Sequence, residues 1–180
     1  HVMPSDTTGG DADGAEFSNP QIRGEEEDSG LAVPIHFVLQ YIKDLSFENP
    51  RAPQIYQDFD EPDVNINVNV QADDLAPRAF EVSLKLSVSA KNGNDTAFLA
   101  ELEYAGIANV DDSVPEENVR PLVLIEGPRM LFPFARSILA NLTRDSAFPL
   151  LLLGPIDFVK MYSDSVQAQQ AQQGGAPAQV

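Results

Sequence analysis

Residues 64–70 read VNINVNV: Val64, Ile66, Val68 and Val70 alternate with Asn65, Asn67 and Asn69. Strict period two places the two sets on opposite faces of a strand. Asn is a poor strand former, so packing of the apolar face must hold such a strand in place. The segment AFEVSLKLSVSA, 79–90, repeats the pattern with Phe80, Val82, Leu84, Leu86 and Val88 against Glu81, Ser83, Lys85, Ser87 and Ser89. Asn92-Gly93 supplies a tight turn, and TAFLAELEYAGIANV returns as a further strand. Upstream, IHFVLQYIKDLSFE sets Ile35, Phe37, Leu39, Tyr41, Lys43, Leu45 and Phe47 on one largely apolar face, and Asp44, Ser46 and Glu48 on the wetter one. A proline-rich connection, NPRAPQIYQDFDEPD, comes after that strand. Adjacent strands joined by short turns predict an antiparallel sheet with one face open to water.

The second half predicts helices. Residues 110–130 carry three prolines around Leu122–Ile125 and read as a long crossover loop holding one short strand-like or helical piece. Pro133 suits a helix start, after which Phe134, Ile138 and Leu142 share a stripe with Leu131 and Leu139 beside it. Pro155 precedes a second helix with Ile156, Phe158, Val159, Met161 and Tyr162 on its apolar side. The expected organisation is a disordered acidic extension at 1–34, an α+β domain at 35–163, and a flexible Gln/Ala/Gly tail at 164–180.

Charge narrows the function. Twenty-eight carboxylates face 11 Lys and Arg, a net charge of −17. Nucleic acid is disfavoured, since phosphate affinity needs clustered cations, and a basic partner is the natural complement. No cysteine is present, so disulfides, thiolate metal sites and a Cys nucleophile are out. His36 has no acid or thiol at ligand spacing, and no nucleophile elbow, phosphate loop or HExxH motif occurs. The expectation is a non-enzyme without cofactor or metal. The N-terminal stretch lacks the basic and apolar regions of a secretory signal, and a chain opening on His1 reads as processed or tagged. No apolar run approaches the roughly 20 residues of a membrane helix.

Apolar surface exceeds what one small sheet can cover. The run FPLLLLGP, 148–155, sets four leucines between Pro149 and Pro155. Burying four Leu side chains is worth on the order of 6–12 kcal/mol. All four are expected to be buried, with Leu150 and Leu152 extending an oligomer contact or a groove wall. Self-association, or a groove for a partner, would meet that demand.

KDLSFENPRAP, 43–53, and MLFPFARSILANLTRDSAFPLLLLGPIDF, 130–158, resemble the SecB family of protein-export chaperones, as do the strand after FDEP and TAFLAELEYAGI. The resemblance runs from about residue 36 to about 162. It implies a four-stranded antiparallel sheet with two C-terminal helices, assembled as a dimer of dimers. It implies a cytoplasmic holdase that binds unfolded precursors and passes them to the SecA motor, with no ATP, metal or membrane insertion of its own. Asp44 and Glu48 match the pair that meets the basic, zinc-binding C-terminal segment of SecA. Asp95 stands beside Asn94, which occupies the place of a further SecA-contacting acid. Val64, Ile66 and Val68 match groove and assembly positions, and Phe134 a client-groove aromatic with Phe132 beside it. The helix pattern adds Phe158 and Tyr162 to the groove. The nearly uncharged tail and the crossover segment depart from the family. Two other duties fit the same residues: a SecB-like chaperone dedicated to one partner such as an antitoxin, or a small-ligand binder.

Overall fold

A computed structural model describes residues 33–173. The segments expected to form the acidic extension and the end of the tail lie outside those residues, apart from Val33 and Pro34. Four long strands form one antiparallel sheet: β1 (Ile35–Glu48), β2 (Asp63–Ala76), β3 (Ala79–Asn92) and β4 (Asp95–Val110). Their order is β1-β4-β3-β2, so β1 and β2 are the two edges. Helices α1 (Glu116–Asp145) and α2 (Phe158–Gln173) complete the domain.

The alternation read from β2 and β3 holds in the register. Val64, Ile66, Val68, Val70 and Ala72 pair with Ala90, Val88, Leu86, Leu84 and Val82, all on one face. On β4 the same face carries Phe98, Ala100, Leu102, Tyr104, Ala108 and Val110, and these buried side chains form the core with those of β3. Gly93 (φ 61) is the first central residue of the two-residue β3–β4 turn, where a positive φ favours glycine.

β1 departs from simple alternation. Register shifts between Phe37 and Leu39 and between Ile42 and Asp44 leave Val38 and Lys43 as bulge residues. Each extra residue flips the parity of the strand beyond it. Leu39 and Tyr41 therefore pair with Ile107 and Ala105 on the outer face, rather than joining Ile35 and Phe37 on the helix side. The second bulge restores parity, so Leu45 and Phe47 face the helices while Asp44 and Glu48 face outward.

The crossover segment is helical almost throughout. α1 begins at Glu116 and continues for 30 residues, about 45 Å, through Pro121, Pro128 and Pro133. Pro133 is thus interior, not a start. Each interior proline removes one backbone donor and costs on the order of 3 kcal/mol. Burial outweighs that cost: Val119, Val123, Gly127, Leu131, Ala135, Leu139 and Thr143 repeat every four residues and are all buried. Spacing by four drifts around a straight helix, and α1 accordingly touches all four strands as it crosses the sheet. At Gly127 the helix meets β3 so closely that an added Cβ would lie 3.0 Å from Val82 Cγ1. The stripe expected from Phe134, Ile138 and Leu142 is the neighbouring, partly open one.

Arg78 pins the entry to α1. Its guanidinium donates to the carbonyls of Asp111 and Val114, each at 2.8 Å. At the other end, Ala147 adopts φ 60 and the Phe148 N–H donates to the Thr143 carbonyl at 3.0 Å. Phe148 then enters an aromatic cluster with Phe47, Tyr56, Phe59 and Phe98. α2 runs to Gln173, past the boundary at 163, because Gln and Ala are good helix formers.

Candidate functional site

The sheet has two chemically opposite sides. The outer side is polar and acidic towards the Glu48 end of β1, while Leu39 and Ile107 make its other end apolar. Registered rows across it read Glu48–Leu99–Ser89–Asn65 and Ser46–Glu101–Ser87–Asn67, and these eight residues line a trough of about 340 Å³. The next row reads Asp44–Glu103–Lys85–Asn69. Asp44 and Glu48 therefore share a face with Glu101 and Glu103. The last two escaped the sequence reading: parity along β4 carried the signal, but only the strand order sets β4 beside β1.

Lys43 and Tyr41 tie this face together. The Lys43 ammonium lies 2.7 Å from Glu81 and 3.7 Å from Glu103, and the Tyr41 hydroxyl donates to Glu81. Hydrogen bonds from Lys43 and then Tyr41 hold the Glu81 carboxyl below the usual carboxylate range, although burial opposes them. The bond to Glu81 raises both Lys43 and Tyr41. Glu81 and Lys43 thus largely neutralise each other, while Asp44, Glu48 and Glu101 make no ion pair among the described residues. Asp95 stands apart at the β3–β4 turn, ion-paired with Arg51 at 3.2 Å.

The helix side is apolar, and α1 divides it. Towards β2, Phe132 meets Phe158 edge-on at 6.1 Å. A cavity of about 510 Å³ opens there between β2 and α2, bounded by Val70, Ala72, Arg120, Leu124, Met161 and Tyr162. A second, of about 330 Å³, lies between α1 and the 153–156 segment, with Phe132, Pro133 and Ile156 in its walls and Arg129 and Arg136 at its margin. Phe158 lines both cavities yet is only 2% exposed, so it serves as their common wall. Towards β4 and β1, Phe134 is 52% exposed and stacks on Tyr104 at 6.1 Å. Phe134 and the Phe132–Phe158–Tyr162 group thus occupy opposite flanks of α1. Val64, Ile66 and Val68 lie on the helix side of the β2 edge, beyond the cavity, which meets β2 at residues 69–73.

The leucine run forms an extended strap along α1. The Leu151 N–H donates to Thr143 Oγ1 at 3.0 Å, and Arg136 Nε donates to the Leu153 carbonyl at 2.7 Å. Extended backbone alternates its side chains. Leu153 is buried and Leu151 half-buried, whereas Leu150 and Leu152 are 53% and 63% exposed. Within the protomer α1 covers only one side of the strap and leaves Leu150 and Leu152 open; the expected burial of all four concerns the assembly.

Among the described residues no group of three or more His, Cys, Asp or Glu side chains could hold a metal ion. No described helix is long and apolar enough to cross a membrane.

The profile of the SecB family, described as Preprotein translocase subunit SecB, matches residues 29–170. A protein-export protein SecB of Sphingopyxis alaskensis is 42% identical over 170 residues, covering 94% of this chain and 97% of the relative. One of Rhodospirillum rubrum is 51% identical over 134 residues, covering 74% and 82%. A solved SecB-like chaperone of Mycobacterium tuberculosis, in complex with a ChAD peptide from an antitoxin, superposes with TM-score 0.57 at 20% identity. That match covers 68% of this chain and 91% of the solved one, and at such identity it speaks for the fold alone.

Proposed function

Because the chain belongs to the SecB family, we propose that it is a protein-export chaperone whose two sheet faces divide the work. The carrying observation is the contrast between those faces. The helix side leaves Phe134, Ile66, Leu150 and Leu152 uncovered and opens cavities beside α1. An unfolded precursor can bury its own apolar side chains there, gaining affinity by adding many weak contacts along its length. The reading needs neither catalysis nor a cofactor, and it puts the protein's work in the cytoplasm.

The outer face serves the second duty. Glu48 and Glu101 flank Leu99 in the trough and Asp44 lies farther along the same face, all three without an ion pair among the described residues, a surface suited to the basic zinc-binding segment of SecA. Opposite charge speeds docking and makes it sensitive to salt. Asp95 contributes less, since Arg51 already neutralises it. Exposed apolar side chains on β1 and on the strap support a homotetramer built as a dimer of dimers.

Titration with an unfolded precursor and, separately, with the SecA zinc peptide tests both halves. Precursor binding that persists at high salt, with peptide binding that weakens there, is the expected result. Failure to retain the precursor at any salt concentration refutes the chaperone reading. A mass other than four chains refutes the tetramer.

A further inference from the structure

Of the sheet's two edges, β2 runs unguarded from Val64 to Ala72, with no charged residue, proline or register shift, whereas β1 is broken by two bulges. The second bulge decides which way the acids of β1 point. Ile42 pairs with Tyr104 and Asp44 with Glu103, so Lys43 has no partner on β4. That extra residue lets Tyr41 and Asp44 both face outward, although three residues apart they would take opposite sides of a regular strand. Moving the extra residue past Asp44 would turn that carboxylate toward the helices.

One carboxylate on β3 grips both sides of this irregularity. Glu81 accepts the Tyr41 hydroxyl, from just before the bulge, and the Lys43 ammonium, from the bulge itself, the latter at 2.7 Å. The three side chains meet across β4. The outer-face residues between Tyr41 and β3, Ala105 and then Ser83, are small and only 0% and 3% exposed, as residues roofed by such a bridge are.

We propose that Glu81, with Tyr41 and Lys43, is a clamp that fixes the second bulge of β1 and so positions Asp44 for the basic partner of the outer face. Glu81 acts through β1, as a positioning residue. The proposal rests on the SecA-docking reading and adds what sets its geometry. Phe47, stacked on Phe98, keeps the strand from slipping outright, so losing the clamp frees the direction of Asp44 rather than the whole register. Charge and position then predict opposite signs. Lys43 is a cation on an acidic face, and deleting it makes that face more attractive to a basic segment. Deleting a positioning group makes docking weaker.

Titration of the full chain with the SecA zinc peptide at low and high salt, alongside amide hydrogen exchange at Lys43 and Asp44, tests this. Tyr41→Phe combined with Lys43→Met leaves Glu81 in place and deletes both of its partners. Peptide affinity should fall by roughly three-fold or more at both salt concentrations, and the two amides should exchange faster. Lys43→Met alone should move the same way by less, and Lys43→Arg, which keeps the charge and the reach to Glu81, should restore most of the affinity. Lys85→Met is the matched control: it removes a cation from the Asp44–Glu103–Lys85 row without touching the bulge, and should tighten binding at low salt. Precursor capture on the other face reports that each variant is folded; if the double variant loses it, Lys43→Met alone decides, on the same two signs. Binding that tightens without the clamp, as it does in Lys85→Met, leaves Lys43 a charge effect only and overturns the inference while the docking reading stands. Weakened binding with unchanged exchange at Lys43 and Asp44 overturns it too. A wild type that ignores the peptide removes both readings.

Discussion

Two residues hold conformations or charges whose worth can be measured directly. Ala147 sits at φ 60, where a Cβ is strained and glycine is not, at the exit of α1. Ala147→Gly should stabilise the protein by about 0.5–1 kcal/mol in denaturant unfolding. Glu81 is held by Lys43 and Tyr41 and its folded pKa is depressed. Its contribution is therefore full above the ordinary carboxylate pKa and is lost as pH falls through the lower folded value. Glu81→Gln should cost about 0.5–1 kcal/mol at neutral pH, a modest figure because Lys43 is 41% exposed and solvent screens the pair. Wild-type and variant stabilities should converge well below pH ~4.3. Asp44 and Glu48 were legible as neighbours on one face, since four residues apart they share parity. Leu39 and Tyr41 were not legible, because a bulge leaves no mark in a β1 sequence that alternates smoothly across it.

Among the elements, β2 and β3 could be read almost residue by residue, because strict alternation admits one arrangement. The first half of α1 could not. Its buried stripe includes Gly127 and Pro128 where a helix signal wants Leu or Ala, so prolines hid a helix that tertiary burial sustains. That dependence has a sharp point at Gly127, where backbone meets Val82. Gly127→Val should destabilise by about 1–3 kcal/mol through overpacking. Pairing it with Val82→Ala should recover part of the loss, as a double-mutant cycle would report. The two sides of the sheet should separate by mutation as well. Phe134→Ala should weaken precursor capture several-fold and spare SecA-peptide binding, while Glu48→Gln with Glu101→Gln should do the reverse. Equal loss of both activities in either variant would contradict the division of faces. Phe158 entered the sequence reading as a groove residue because helix spacing locates an apolar face but cannot tell a wall from a floor. Only the packing against Phe132 resolves it.

At the scale of the whole molecule, the fold class was legible and the covering of apolar surface was not. Counting hydrophobic residues correctly signalled an excess, but which leucines stay open depends on the strap lying extended along α1 and turning Leu150 and Leu152 outward. The unguarded β2 edge has a cost that net charge offsets. At −17, identical molecules repel one another before their edges can meet. Near the isoelectric point, about 4.2, that colloidal barrier vanishes while the edge persists. Concentrated protein brought to that pH should turn cloudy and take up thioflavin, whereas Asn67→Lys or Val68→Lys should keep the solution clear. Acidity here would then be what lets a sticky strand remain in solution unescorted.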